Sequence, residues 1–219
     1  MQNEETTNSG PETPNDVDAA LAAPTRKRPK PGERRVQILQ TLAGMLEQPG
    51  ADRVTTAALA AKLEVSEAAL YRHFASKAQM FEGLIEFIES SIFTLLNQII
   101  EREGASGLAQ AQKIVSVLLQ FGERNPGMTR VMVGDALVYE NERLVARMNQ
   151  FFDRIESALR QVLRTAAEAK GSATPTVDAN AQASVLVSFI IGRLQRYARS
   201  GFKRLPGEQL DAALRMLAA

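Results

Sequence analysis

A run of cations and two short helical segments carry the residue types that could contact nucleic acid. Arg26-Lys27-Arg28-Pro29-Lys30 places four cations in five residues. Such a run suits contacts to phosphates, although a solubilising linker has the same composition. Further along, segments 56–63 and 67–74 have the dimensions of the two helices of a helix-turn-helix.

The second of these segments has a buried edge and an outward face. Leu70 and Phe74 stand at i and i+4 and form the buried edge. The opposite face can then meet base edges and phosphates, and it carries Glu67, Ala68, Tyr71 and Arg72. Thr55 and Thr56 lie at the start of the first segment, where backbone N–H groups also favour phosphate.

Composition excludes several kinds of chemistry. The 219-residue chain has no Cys and a single His, which rules out disulfides, thiolate catalysis and Cys-based or His-cluster metal sites. It has no Gly-rich phosphate loop and no nucleophile elbow, so we expect no enzyme and no cofactor. No uninterrupted apolar run approaches about 18 residues, and the N-terminus lacks the pattern of a signal peptide. We expect a cytoplasmic protein without a membrane partner.

The net charge of +1 conceals an uneven distribution. Residues 1–24 contain five acids and no Lys or Arg, which predicts a disordered tail. The rest of the chain has 26 bases against 20 acids, or +6, and four of the bases lie in the arm at 26–30. We hypothesise that the acidic tail competes with DNA for this arm.

The remaining pattern is helical, so the predicted fold class is all-α. A domain of three helices, residues 32–77, would position the motif at 55–74, and a helical domain, residues 78–219, would follow it. Residues 1–31 form the tail and arm. Sequence periodicity predicts helices at about 33–46, 56–63, 67–74, 77–102, 108–124, 128–139, 142–170 and 179–200.

The motif resembles the signature of the TetR family of dimeric DNA-binding regulators. The matching residues are Thr55-Thr56-x-x-Leu59-Ala60, Val65-Ser66 and Leu70-Tyr71-x-x-Phe74-x-Ser76-Lys77. The resemblance implies a homodimer, with one or more dimers on each palindromic double-stranded DNA site. The residues it assigns to DNA are Thr55, Thr56, Tyr71, His73 and Lys77, to which the reading face and the arm add Ser66, Ala68, Arg72, Arg26, Lys27, Arg28 and Lys30. Glu64 stands where the family usually has Gly, so a left-handed residue there would cost about 1 kcal/mol.

Each of these residues also has an ordinary structural interpretation. Tyr71 could pack into the core, and His73 could simply end a helix. Lys77 could be a solvated cation or a partner of the helix dipole. Glu67 either caps its helix or accepts from a cytosine amino group, and the cap is the better interpretation.

A longer resemblance, from about residue 33 to the C-terminus, is to the nucleoid occlusion branch of the TetR family. It is carried by 65–74, Met80-Phe81, 84–89, Phe121-Gly-Glu-Arg-Asn-Pro-Gly-Met-Thr-Arg130, Phe152-x-Arg154-Ile155-Glu156 and Leu159-Arg-Gln-Val-Leu-Arg164. It implies a nucleoid-associated protein that, when bound to DNA, captures the C-terminal tail of the division GTPase FtsZ and blocks septum assembly. In this branch the tail lies between the fourth and fifth helices, which places the groove around Phe87, Ser91, Leu95, Val117, Gln120, Arg124 and Asn125. Without the resemblance, 121–126 reads as an ordinary helix-ending turn.

The strongest periodicity lies between 142 and 170, and it favours a four-helix interface between two protomers. The predicted contacts are Met148, Phe151, Ile155, Leu159, Val162, Phe189 and Gly192. The same residues could instead form an intramolecular core. The alternative function is that of a transcriptional repressor released from DNA by a small apolar ligand.

Overall fold

The computed structural model describes residues 32–48, 53–102 and 106–217, and within these ranges every regular element is helical. The elements are α1 (Glu33–Leu46), α2 (Thr56–Lys62), α3 (Glu67–Tyr71), α4 (Lys77–Ile100), α5 (Gly107–Arg124), α6 (Pro126–Met132), a 3₁₀ turn (Asp135–Leu137), α7 (Glu142–Ala169), α8 (Pro175–Arg199) and α9 (Leu210–Leu217). The predicted all-α fold class is confirmed. The arm residues Arg26, Lys27, Arg28 and Lys30 lie outside the described residues.

Polar side chains fix the starts of the helices around the motif. Thr55, Ser66 and Ser76 each accept a hydrogen bond from the backbone N–H three residues on, at 3.2, 3.3 and 3.2 Å. These contacts satisfy N–H groups that the first helical turn leaves without partners. The side chain of Gln79 also accepts from the Ala75 N–H at 2.9 Å, so a reciprocal pair of caps begins α4.

The predicted segment 128–139 is not one helix. α6 begins at Pro126 and ends at Met132, and Gly134 has a left-handed φ of 85° before the 3₁₀ turn. Pro126 supplies a fixed φ at the first helical position, which explains the early start. A left-handed residue then breaks the helical path, which explains the early end.

Two other boundaries and one further helix differ from the sequence predictions. α3 stops at Tyr71 rather than residue 74. α8 begins four residues before the predicted start, at Pro175, and the hydroxyl groups of Ser172 and Thr174 donate to Asp178 in its first turn. α9 was not predicted, although Leu210, Leu214 and Leu217 have helical spacing.

One continuous core joins the motif to the rest of the protein. Long helices α7 and α8 pack along each other, and α5 lies across α7 and α8. At one such crossing, a Cβ on Gly107 would lie 2.0 Å from the Val162 carbonyl oxygen, so only glycine permits this approach. α4 is the one helix in the described ranges that is long and apolar enough to span a bilayer, with a mean hydropathy of 1.3 over its most apolar window. Seven of its side chains instead pack in the common core.

Candidate DNA-reading face and partner groove

The turn between α2 and α3 contains a left-handed residue at the position where the family usually has Gly. Glu64 has φ 54°. The Val65 N–H donates to the Ala60 carbonyl at 3.0 Å, and the Glu64 N–H donates to Ala61 at 3.1 Å. This hydrogen-bond pair is a Schellman motif, which requires a left-handed residue at this point. The chain therefore keeps the usual turn geometry with a glutamate where glycine would be less strained.

The two helices of the motif are joined by a side-chain contact. The Thr56 hydroxyl donates to Glu67 Oε2 at 2.6 Å. Glu67 also lies in the first turn of α3, where its charge favours the positive end of the helix dipole. Its position supports the capping interpretation, and the Thr56 proton is already committed to Glu67.

The face of α3 opposite Leu70 and Phe74 is exposed. Both of those side chains are buried, while Tyr71 is 45% exposed. Ser66, Ala68, Arg72 and His73 are exposed beside Tyr71, and Thr55 is exposed at the start of α2. Tyr71 therefore presents its ring and hydroxyl to solvent instead of packing into the core.

A residue that no sequence motif predicts holds this face in place. Arg35 on α1 donates to the His73 carbonyl oxygen at 2.8 Å, and its guanidinium lies 4.1 Å from the centre of the Phe74 ring. The two contacts fix the C-terminal end of α3 against α1. No sequence motif marks Arg35, because its partners lie almost forty residues away.

Lys77 has a partner within the protein. Its ammonium group pairs with Glu140, just before α7, and lies 5.7 Å from the centre of the Phe81 ring. Two further ion pairs join α4 to α7, Glu82 with Arg143 and Glu89 with Arg147 at 2.8 and 2.6 Å. The hydrogen bond to Glu89 raises the pKa of Arg147. Contact of Lys77 with a phosphate would require exchange of its Glu140 partner.

The predicted partner residues fall into two groups in the structure. Phe87, Ser91 and Leu95 follow one another along α4 at intervals of four, with Phe87 49% and Leu95 39% exposed. Leu95 meets Val117 of α5 in a cavity of about 450 Å³ whose lining includes Arg102 and Lys113. These two cations were not predicted, and they make this end of the groove positive.

The other end of the predicted groove is arranged differently. Gln120 lines a second cavity, formed by α5 with the segment 203–215, rather than the cavity between α4 and α5. The Asn125 side chain donates to the Phe121 carbonyl at 2.8 Å, which fixes the corner between α5 and α6. Arg124 is exposed in the last turn of α5.

Most of the predicted dimer contacts belong to the core of the protomer. This corrects the sequence prediction for the five that are at most 3% exposed within a single chain, Met148, Phe151, Ile155, Leu159 and Val162. Their four- and three-residue spacing reflects packing of α7 against α4, α5 and α8. Phe189 is half-buried with Arg193 stacked on its ring at 4.9 Å. Gly192 is exposed, with open space where a side chain would begin.

Comparison with known proteins identifies both halves of the chain. Residues 38–84 match the tetR family of bacterial regulatory proteins, and residues 105–219 match the SlmA-like, tetracyclin repressor-like C-terminal domain. The chain is 50% identical over 191 residues to the nucleoid occlusion factor SlmA of Photobacterium profundum, covering 87% of this chain and 96% of that protein. It is 51% identical over 187 residues to SlmA of Vibrio cholerae, covering 85% and 94%.

Solved structures share the fold at low sequence identity. The fatty acid degradation regulator FadR of Bacillus halodurans superposes with a TM-score of 0.69 at 14% identity, covering 89% of this chain and 97% of that one. The ketosteroid regulator KstR2 of Mycobacterium tuberculosis gives a TM-score of 0.65 at 20% identity, covering 85% and 94%. These likenesses confirm a TetR-type fold.

Proposed function

Because this chain belongs to the SlmA family of TetR-type nucleoid occlusion factors, we propose that it binds palindromic chromosomal sites as a homodimer and, when bound to DNA, captures the C-terminal tail of FtsZ. Capture over the nucleoid blocks assembly of the division septum there. The observation that carries the proposal is the half-identity to SlmA proteins along almost their whole length. The same similarity favours this function over a ligand-released repressor, and the relatives are regulators rather than enzymes. The protein acts in the cytoplasm, on the nucleoid.

The exposed face of α3 supports the DNA-binding part. Tyr71, Arg72 and His73 lie together at its C-terminal end, and Arg35 fixes their backbone. A helix-turn-helix places such a face in the major groove, where Arg and Tyr side chains contact bases and phosphates. Thr55 and Ser66 keep their hydroxyl protons available for phosphate, because each hydroxyl oxygen accepts a helix N–H. The cations at 26–30 would add contacts to the DNA backbone.

The exposed stripe of α8 supports the homodimer. It has helical spacing and small or apolar side chains, at Val177, Ala181, Val185, Ser188 and Gly192. Small side chains allow two helices to approach closely, and a two-fold axis brings the same stripe of each protomer together. We place the dimer contact on this stripe, with the buried face of α7 supporting it from within each protomer.

The groove along α4 and α5 supports capture of a peptide. Phe87 and Leu95 offer apolar contact, while Arg102 and Lys113 at one end and Arg124 at the other offer contacts to carboxylates. We propose a domain boundary near residue 77, so that the groove belongs to a C-terminal domain, 78–219. α4 begins at this boundary and joins the groove to the DNA-binding domain, 32–77.

The proposal is tested with a synthetic peptide of the FtsZ C-terminal tail and the purified dimer. We expect binding that tightens when a duplex bearing the protein's chromosomal site is present. Val117→Glu should abolish peptide binding without changing DNA affinity, because it puts a carboxylate into the apolar floor of the groove. Ala169→Glu, at the exposed end of α7, is the control for one added negative charge. Absence of peptide binding with and without DNA would refute capture, and a small ligand that released DNA would support the repressor alternative.

A further inference from the structure

A basic cavity of about 450 Å³ lies at the C-terminal end of α8, away from the reading face and the α4–α5 groove. Four cations and a single carboxylate line it, Arg193, Arg196, Lys203, Arg204 and Glu208, together with Gln209. Arg193 has a structural role, since it donates to the Glu208 carbonyl at 2.9 Å and stacks on Phe189. The proposed DNA and partner contacts do not use this cavity.

The other three cations have no partner for their side chains among residues 32–48, 53–102 and 106–217. None of Arg196, Lys203 and Arg204 forms a side-chain hydrogen bond or ion pair there. Arg196 lies in the last turn of α8, where a cation complements the helix dipole. Lys203 and Arg204 come after the helix, so the dipole does not explain them. Their backbone N–H groups donate to Ser200 Oγ at 3.1 and 2.9 Å, which holds both residues beside the cavity.

We propose that this cavity is the docking site of the chain's own acidic N-terminal segment, residues 1–24. That segment carries Glu4, Glu5, Glu12, Asp16 and Asp18 and no Lys or Arg. Five negative charges therefore match a surface with an excess of three positive charges. Charges of opposite sign on a tethered segment associate at a high effective concentration, because the two surfaces cannot diffuse apart.

The acidic segment is long enough to reach from Gly32 past the whole length of α1. The Tyr197 hydroxyl, one turn from Arg193, donates to the Glu123 carbonyl at the end of α5, and a Cβ on Gly127 in the following helix would lie 2.0 Å from the Ala43 carbonyl of α1. α8 is therefore joined through the corner between α5 and α6 to the C-terminal part of α1, and Gly32 lies at the other end of this 14-residue helix, which is about 21 Å long. A flexible chain of 14 to 28 residues, the separation of Asp18 and Glu4 from Gly32, spans about 20 to 30 Å.

Docking at this cavity has a consequence for DNA binding. The acidic segment is also close in sequence to the arm at 26–30, where it would compete with phosphates. Held at α8, the segment leaves the arm available to DNA. The cavity then acts on DNA affinity without touching DNA.

Zero-length carbodiimide cross-linking of the full-length protein tests the proposal. The reagent joins a carboxylate to a Lys amine in contact with it, and trypsin releases all five tail acids in one peptide ending at Arg26. We expect a link from this peptide to Lys203 that is lost at high salt. Arg204→Glu should lower its yield about threefold. Arg199→Glu, at the same helix end but outside the cavity lining, should leave the yield unchanged.

Two further measurements complete the test. Arg204→Glu should weaken DNA binding about threefold in the native chain. The effect should be smaller when Glu12→Gln, Asp16→Asn and Asp18→Asn remove three of the five negative charges of the tail. Tail carboxylates that link only to Lys27 and Lys30 would overturn the proposal, and so would equal yields in the two Arg variants. A different result would be that inorganic pyrophosphate or a DNA duplex protects Lys203 from an acylating reagent while no cross-link to the tail forms. That result would assign the cavity to phosphate binding.

Discussion

In α3 the motif residues assigned to DNA are exposed, whereas in α7 the residues that periodicity assigns to a dimer interface are buried. Tyr71 is 45% exposed, while Phe151 and Ile155 are completely buried. Both sets have helical spacing. The motif at 55–77 includes positions on either face, but an apolar repeat reports only the face that avoids water.

The difference bears on how an interface is found in a helical sequence. A strong apolar repeat marks the side that packs within the protomer whenever other helices of the same chain can cover it. The contact with a second protomer must then come from the remaining face, which in α8 carries small residues that no periodicity search selects. Substitutions on the buried and exposed faces should therefore have different effects, and this separation can be tested.

The largest effect is expected from Phe151→Ala. Phe151 packs edge-to-face on Phe93 and Phe152, at 5.6 and 5.1 Å between ring centres. Removing it leaves a cavity, and the free energy of unfolding should fall by about 3 to 5 kcal/mol. Urea unfolding at several protein concentrations measures the loss. Asp153→Ala, exposed on the same helix, should change the free energy of unfolding little. If Phe151→Ala lost only the dimer and kept the stability of the protomer, Phe151 would belong to the dimer interface after all.

A smaller effect on folding and a large effect on assembly are expected from Gly192→Glu. Within the protomer a Cβ at Gly192 meets no atom within 4 Å, so the side chain fits and helix propensity improves. Across a close helix pair the same carboxylates would clash and repel each other. Sedimentation should show monomers, with a helical circular dichroism spectrum unchanged. Ala212→Glu, exposed on α9, should remain dimeric, and a dimeric Gly192→Glu protein would remove this stripe from the interface.

Local chemistry made the helix-turn-helix predictable from the sequence. Thr55, Ser66 and Ser76 cap the helices that they precede, and the left-handed residue is Glu64, at the position where the family usually has Gly. Contacts distant in sequence were not predictable, since neither Arg35 with His73 nor Lys77 with Glu140 leaves a periodic signal. The same limit explains why Gln120 was placed in the wrong cavity, since its neighbours come from the segment after α8. It also explains the dimer prediction, because periodicity does not distinguish packing within one chain from packing between two.

Tyr71→Phe removes one hydroxyl group from the exposed face of α3. Within the described part of the chain this hydroxyl has no partner, so its removal should leave the melting temperature unchanged. If it donates to a phosphate, the affinity for DNA should fall about two- to tenfold. Fluorescence anisotropy with a labelled duplex measures the change. Tyr139→Phe, also exposed, is the matched control, and equal affinities for both variants would remove Tyr71 from the DNA contacts.

Tyr197→Phe should have the smallest effect, at the place where α8 meets the corner between α5 and α6. The Tyr197 hydroxyl donates to the Glu123 carbonyl at 3.0 Å, and its loss should cost about 1 kcal/mol at neutral pH. Burial, assisted by the charges of Glu123 and Glu47, raises the pKa of Tyr197. The folded state therefore retains the proton more strongly than the unfolded state, whose phenol ionises near pH 10, at about its ordinary value.

The contribution of Tyr197 to the free energy of unfolding is consequently fully present below about pH 10 and is lost as the pH rises towards the folded-state pKa. The difference in unfolding free energy between the native protein and Tyr197→Phe should be constant from neutral pH to about pH 9 and should shrink above pH 10. Other groups titrate in both proteins and cancel in this difference. A difference that stayed constant through pH 11 would show that the ionisation of Tyr197 is not linked to folding, and that the corner between α5 and α6 is open to water.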